Sequence, residues 1–272
     1  MRFFKSHLLP VLLVTSFFAS ISAHALTVSY GGQAATDGSG LTSAFIPASN
    51  TTLPAKWFVE TFDPGTAGPA PAGVVKPSLG GASIDMGTGC SINTYGTITT
   101  TGGGFGVRQG TLSGVGAAPA GDSTCFGFGP RPGGTLPATF RVDYINLLPA
   151  GEKFTYLGLY YGSIDIYNNV SIYNVNTLVR TVTGAEVLAG NGGTSGDQFS
   201  TGSNIYVNFQ LDPGEFFTAV EFFTSSVAFE LDSIVVGGAL PTSASNVPEP
   251  GSLALLAAGL LGFGAVRRLR KS

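Results

Sequence analysis

The sequence predicts an all-β fold, an antiparallel β-sandwich of jelly-roll type, flanked by an N-terminal signal segment and a single C-terminal hydrophobic helix. Three observations predict it. Apolar runs between residues 26 and 236 are short and rich in aromatic and β-branched residues. Gly, Pro, Asn or Asp bound nearly all of them, and no stretch shows helical periodicity. After residue 139 the candidate strands recur at regular intervals, as in two-sheet antiparallel folds.

The N-terminus comes first. Arg2 and Lys5 precede the apolar stretch Leu8 to Phe18, and small residues then lead to Ser22-Ala23-His24-Ala25. A charged start, an apolar middle and an A-x-A site at Ala23 and Ala25 make a secretory signal peptide over 1–25. The mature chain is expected to begin at Leu26. Its removal takes away both histidines, His7 and His24. That excludes Ser-His-Asp and Cys-His catalysis and any His-ligated zinc or iron site.

Candidate strands are Lys56–Phe62, Thr97–Thr101, Thr139–Asn146, Phe154–Tyr161, Ile164–Tyr167, Val170–Asn174, Leu178–Thr183, Ile205–Leu211, Phe216–Thr224 and Ala228–Val236. Asn168-Asn169 and Asp212-Pro213-Gly214 suit tight hairpins, because Asn and Gly tolerate positive φ and Pro pre-sets the first turn residue. On Phe154–Tyr161, alternation puts Phe154, Tyr156 and Tyr160 on one face and Leu157, Leu159 and Tyr161 on the other. Both faces are apolar, the mark of a central, buried strand.

The stretch 100–137, rich in Gly, Pro, Ala, Ser and Thr, reads as a long surface excursion. Its Gly102-Gly103-Gly104-Phe105-Gly106 lacks the following Gly-Lys-Ser/Thr of a phosphate loop. The two cysteines, Cys90 and Cys125, are expected to pair in an exported chain. Closing that loop is worth roughly 4 kcal/mol in the chain-entropy picture. Between Leu26 and Val247 there are seven Lys and Arg against fifteen Asp and Glu, a net charge of −8. Such a body argues against nucleic acid or anionic lipid as a partner. Residues 26–236 are long enough for one core and one domain.

Residues 237–246 have the small, polar composition of a spacer. Beyond them Gly251 to Val266 carries no charge, and as a helix its sixteen residues span about 24 Å. Arg267, Arg268, Arg270 and Lys271 follow, which places this end in the cytoplasm and the body outside. The order Val247-Pro248-Glu249-Pro250, short apolar helix and basic end resembles the PEP-CTERM sorting signal of exported proteins from Gram-negative bacteria that make extracellular polysaccharide. The resemblance covers 247–272. It implies an exosortase as partner, cleavage near the Pro-Glu-Pro motif after transient anchoring in the inner membrane, and delivery to the cell surface or extracellular matrix. The two prolines keep this segment extended and outside the helix.

A second resemblance rests on Tyr156–Asn168, YLGLYYGSIDIYN, and Ala228–Gly237, AFELDSIVVG. These are similar to a family of exosortase-dependent surface proteins with a Y-x-G-L-Y-x-G-S-x-D-x-Y-N block, which implies sorting but no activity. The closing strand is also similar to the last strand of jelly-roll carbohydrate-binding domains, where an Asp ligates structural calcium. Here that is Asp232, with Glu60 or Asp63 as candidate partners, and oxygen ligands suit Ca²⁺.

Three functions fit the body. A non-catalytic structural or adhesive role in an envelope or biofilm is the expectation. A carbohydrate-binding module is the alternative, with exopolysaccharide as ligand and Trp57, Tyr161 and Tyr167 as stacking candidates. A carboxylate glycosidase, drawing on Asp165, Glu221, Glu230 and Asp232, is the third. Glu230 and Asp232, two apart on one strand, share a face.

Overall fold

The computed structural model describes residues 26–65, 82–145, 147 and 153–238. The signal segment with Ala23 and Ala25, and the tail with Val247 to Pro250, the hydrophobic stretch, Arg267, Arg268, Arg270 and Lys271, lie outside the described residues. Among those described, no helix is long and apolar enough to cross a membrane.

The chain opens with β1 (Leu26–Tyr30), the two-residue β2 (Gln33–Ala34) and β3 (Leu41–Thr42), then β4 (Phe58–Glu60) and β5 (Ile84–Met86). β6 (Thr97–Gly102), β7 (Phe105–Gln109), β8 (Cys125–Gly129), β9 (Ala138–Asp143) and β10 (Phe154–Gly162) follow. Last come β11 (Asn168–Asn174), β12 (Thr177–Thr183), α1 (Gly184–Asn191), β13 (Ile205–Leu211), β14 (Ala219–Thr224) and β15 (Phe229–Gly238).

Two main sheets pack face to face, as expected of a β-sandwich. The larger has the order β1-β13-β10-β15-β8-β7-β5, with β4 also on β15; the smaller is β12-β11-β14-β9-β6. From β9 to β11 and again from β12 to β15 the chain alternates between them. β5 and β7 are parallel, a departure from the fully antiparallel expectation. Between the sheets lies one apolar core of side chains from both, including Phe105, Phe140, Leu157, Val207, Phe222 and Leu231. Each such side chain stabilises the fold by about 1.5–3 kcal/mol relative to exposure.

β10 is central, paired by β13 and β15, and all but one of its residues are buried. Its two faces divide differently from strict alternation. Phe154 joins Leu157, Leu159 and Tyr161 in the inner core, whereas Tyr156 and Tyr160 belong to a second apolar cluster with Ile46, Trp57, Tyr206 and Val235. A register irregularity between Phe154 and Tyr156 separates these two residues. The second cluster sits on the outer face of the large sheet, under a cover made by residues 31–57.

The 100–137 stretch corrects the sequence expectation. It holds the second half of β6 and all of β7 and β8, with Phe105, Phe126 and Phe128 almost fully buried. Its glycines make room for rings. A Cβ on Gly127 would lie 2.3 Å from the Phe105 ring and 2.8 Å from Phe62, and one on Gly106 would lie 2.2 Å from Phe128. Residues 110–124 between β7 and β8 fold back as a further part of the cover. The Cys90–Cys125 disulfide is present, as expected, with a Cα–Cα distance of 5.8 Å.

Other elements also differ. Ile164–Tyr167 is a turn rather than a strand, and Asn168 and Asn169 open β11 instead of forming a hairpin. The Asp212–Gly214 turn exists, with Glu215 N donating to Asp212 O at 3.0 Å, but it carries the chain from one sheet to the other. Gly237 and Gly238, read as spacer, end β15. The helix α1 was unexpected: Thr183 caps its N-terminus in a reciprocal box with Glu186, and Gly192 closes it at φ 72°.

Candidate functional site

β15 lies at the middle of the large sheet and carries two acids, Glu230 and Asp232. Leu231 points into the inner core, so both acids are turned to the outer face, as the spacing predicts. They nevertheless enter separate environments.

Glu230 is 3% exposed. Its Oε1 accepts from Ala117 N at 3.0 Å and its Oε2 from Ser163 Oγ at 2.8 Å. Burial pushes its carboxyl up to about 8, against those two bonds, and the charge of Asp165 adds to the rise. Asp165 is likewise engaged: Ser195 Oγ donates to Oδ1 at 2.8 Å, and the Tyr167 hydroxyl lies 2.6 Å from Oδ2 and 2.6 Å from Val227 O. Asn168 Nδ2 donates to Ala228 O at 2.9 Å. The GSIDIYN block thus ties the end of β10 to the start of β15. A cavity of about 190 Å³ beside it is lined by residues 111–117, Gln198, Val227, Ala228 and Glu230. Asp165 is not in its wall, so the cavity presents one carboxyl group where glycoside hydrolysis needs two.

Asp232 is fully buried, and neither of its carboxylate oxygens has a hydrogen-bond partner. It stands opposite Tyr160 on β10. Burial first, then the charges of Asp122, Asp63 and Asp37, push its carboxyl far up. Asp122, on the 119–124 turn, is pushed up to about 6, also by burial first. Its Oδ1 accepts from Thr124 N and Oγ1, while its Oδ2 is buried without a partner. Asp37 accepts from Ser39 and from Asn50 Nδ2. Asp63 Oδ1 accepts from Cys125 N at 3.0 Å, beside the disulfide. After Asp232, Ser233 takes φ 45° and its Oγ meets Ser39 Oγ at 3.2 Å, which pins the cover to the sheet.

The calcium set read from sequence is corrected at Glu60. β4 pairs with β15 so that Glu60 stands opposite Ile234 of the inner core, on the other side of the sheet from Asp232. Its carboxylate accepts from the backbone N–H groups of Phe62, Asn93 and Thr94. Asp63 is in the neighbourhood of Asp232, and Asp122 and Asp37, which sequence reasoning missed, join it. Their sequence separation hid them. Among the described residues no three His, Cys, Asp or Glu side chains are grouped closely enough to hold a metal ion as placed.

The stacking candidates separate too. Tyr161 is fully buried and stacks on Phe229 with centroids 4.6 Å apart, so its ring is not available to a sugar. Trp57 is 8% exposed, packed under Phe45 and Tyr156. Tyr167 is partly exposed but serves Asp165. Glu221 lies on the small sheet opposite Arg141, away from Glu230. A groove of about 520 Å³ that the sequence did not reveal runs along the edge of the cover. Phe45, Tyr156, Thr155, Asn208, Gln210 and the 212–214 turn line it.

Nothing in either acidic centre names a family; the end of the chain does. Residues 246–271 match the family model described as the PEP-CTERM protein-sorting motif. The chain carries a PEP-CTERM sorting signal. No curated protein and no solved structure matches it significantly. A PEP-CTERM signal marks an exported protein that an exosortase processes. Its span covers the Pro-Glu-Pro motif, the apolar stretch and the four cations, so the three parts named from sequence belong to one matched unit.

Proposed function

We propose that this PEP-CTERM protein displays a non-catalytic structural or adhesive body at the cell surface or in an extracellular, biofilm-type matrix. The hydrophobic tail holds it in the inner membrane until an exosortase cuts near Val247–Pro250. The observation that carries the reading of the body is burial of its aromatic block: Tyr156, Tyr160 and Tyr161 are each no more than 1% exposed. Rings closed inside a jelly-roll-like sandwich stabilise it and offer no row of sugar-stacking faces. The tethering of Glu230 and Asp165 supports the absence of catalysis.

Two experiments test this. Mass spectrometry of the C-terminal peptide from cells with and without exosortase activity is expected to find Ser272 only in the latter; an intact terminus in both contradicts the sorting route. Loss of the protein is expected to weaken matrix retention or cell aggregation, while the purified protein turns over no polysaccharide in a panel. A hydrolysed glycan would contradict the role.

The groove favours a second reading, carbohydrate binding. Phe45 is 45% exposed there, with the amides of Asn208 and Gln210 nearby. Affinity electrophoresis through exopolysaccharide checks it: retardation lost in Phe45→Ala supports sugar binding, and equal mobility with and without polysaccharide removes it.

A further inference from the structure

We propose that the cavity over Glu230 is an end-on binding site for a single sugar ring, set at the end of the sandwich that points away from the sorting tail. β15 starts beside it at Phe229 and finishes at Gly238, so the tail leaves from the opposite end, about 26 Å from Glu230. Four turns meet at the cavity end: 111–117, 163–167, 194–200 and 225–228. They are joined to one another by Glu230, whose carboxyl accepts from Ala117 N and Ser163 Oγ, by the Tyr167 hydroxyl on Val227 O, and by Ile166 N, which donates to Ser195 Oγ at 3.2 Å. The mouth is therefore built in advance of a ligand, which lowers the ordering cost of binding. On the adhesive reading of the body, which this site presupposes, a protein tethered at one end grips matrix polysaccharide with the other.

The cavity of about 190 Å³ is smaller than the roughly 300 Å³ at which sites for drug-sized ligands begin, which limits the occupant to one ring. Thr111, Ser113 and Gln198 give its wall two hydroxyls and an amide around the single carboxyl of Glu230. Burial holds that carboxyl largely protonated at neutral pH, so it can donate as well as accept. Groups that do both match the hydroxyls of a sugar. No Lys or Arg lines the cavity, so an anion would face a carboxyl unaided, and a wholly apolar ligand would leave the polar wall unpaired. Phe199 adds a flat face. It adjoins Gln198 and is 88% exposed, the most of any large apolar side chain among the described residues. Its turn is fixed: Asp197 Oδ1 accepts from Phe199 N and Ser200 N, each at 2.9 Å, and Asn204 Nδ2 donates to Asp197 O and Ser200 O. A ring held outside on an ordered turn forgoes the gain of burial and offers a stacking surface. The groove at Phe45 is a separate place, at the tail end of the large sheet, where Tyr156 pairs with both Gln210 and Gly237.

The test uses the full chain in a detergent without a sugar headgroup, with exopolysaccharide from the producing cells and the monosaccharides of its acid hydrolysate as probes. Saturation-transfer NMR should show contact with a neutral sugar, and titration should show that Phe199→Ala and Gln198→Ala each weaken binding, the former about tenfold. Both side chains are exposed, so neither change should move the melting temperature by more than about 2 °C. Phe45→Ala leaves the affinity unchanged. Absence of saturation transfer to every neutral sugar overturns the site. Transfer to amino sugars alone also overturns it, since Glu230 would then be the partner of an ammonium group. Binding that is lost in Phe45→Ala and kept in Phe199→Ala places the sugar in the groove and overturns it as well. In cells, matrix retention should fall in Phe199→Ala as it does on loss of the protein. Retention kept in Phe199→Ala but reduced by the deletion overturns the site alone, whereas retention that the deletion leaves unchanged overturns the adhesive role on which it rests.

Discussion

The two sheets of the sandwich share one core but lead different lives outside it. The large sheet is buried on both faces, because residues 31–57 and 110–124 fold over its outer side and close a second cluster around Trp57, Tyr156, Tyr160 and Tyr206. The small sheet leaves its outer face to water: Thr97, Thr99 and Thr101 are exposed on β6, and Arg141 lies over the ring of Tyr173, 4.4 Å from its centroid. Aromatic residues on a strand therefore say little about ligand binding until it is known which sheet carries the strand. It also accounts for the deep burial of Glu230 and Asp232, which lie on the outer face of that sheet beneath the cover.

The largest effect should come from breaking the second cluster. Tyr206→Ala is expected to cost about 3–5 kcal/mol in chemical denaturation, as a deep core truncation does, whereas Phe223→Ala on the small sheet's outer face should cost under about 1 kcal/mol. Equal costs would mean that the cover does not shield the large sheet. Next comes the disulfide, which fixes the chain where the cover returns to β8. Replacing Cys90 and Cys125 by Ser should lower stability by roughly 2–4 kcal/mol, read as a shifted denaturant midpoint. Gly127→Ala should follow at about 1–3 kcal/mol, because the methyl meets Phe105 and Phe62 between the sheets.

The smallest effect belongs to the rim. The backbone N–H of Thr183 holds the Glu186 carboxyl below its usual range, with Arg180 assisting. A depressed carboxyl contributes stability above its unfolded pKa and loses it as pH falls through the folded one. Glu186→Gln should therefore flatten the acid limb of the stability profile below about pH 4.5, by less than about 1 kcal/mol because the pair is exposed. A mutant profile that keeps the full acid slope would contradict this.

Much of this was legible in the sequence. The sandwich class, the disulfide and nine of the ten proposed strand sites follow from alternation, turn residues and compartment, because those are local signals. Composition misleads at 100–137, where glycine reads as the residue of a loose excursion; Gly127 makes room for Phe105 and Phe62 and Gly106 for Phe128, 22 to 65 residues away in sequence, and only packing reveals those sockets. The capping box Thr183-Gly184-Ala185-Glu186 is a plain S/T-x-x-E run; that signal and Gly192 are visible in the sequence, but eight residues carry too little periodicity to stand out. At the acidic centre, Asp232 is singled out only by the resemblance of its strand. Asp122 and Asp37 were not, because tertiary folding alone brings their turns together, and Glu60 was misplaced because strand pairing decides which side of a sheet it faces.

The covered sheet makes one direct prediction. Limited nitration of the native protein with tetranitromethane, mapped by mass spectrometry, should modify Tyr173 on the open sheet and spare Tyr156, Tyr160, Tyr161 and Tyr206, which are all at most 1% exposed. Ready nitration of Tyr156 or Tyr160 in the folded protein, suppressed by added polysaccharide, would contradict the structural reading and make that face a sugar-binding surface.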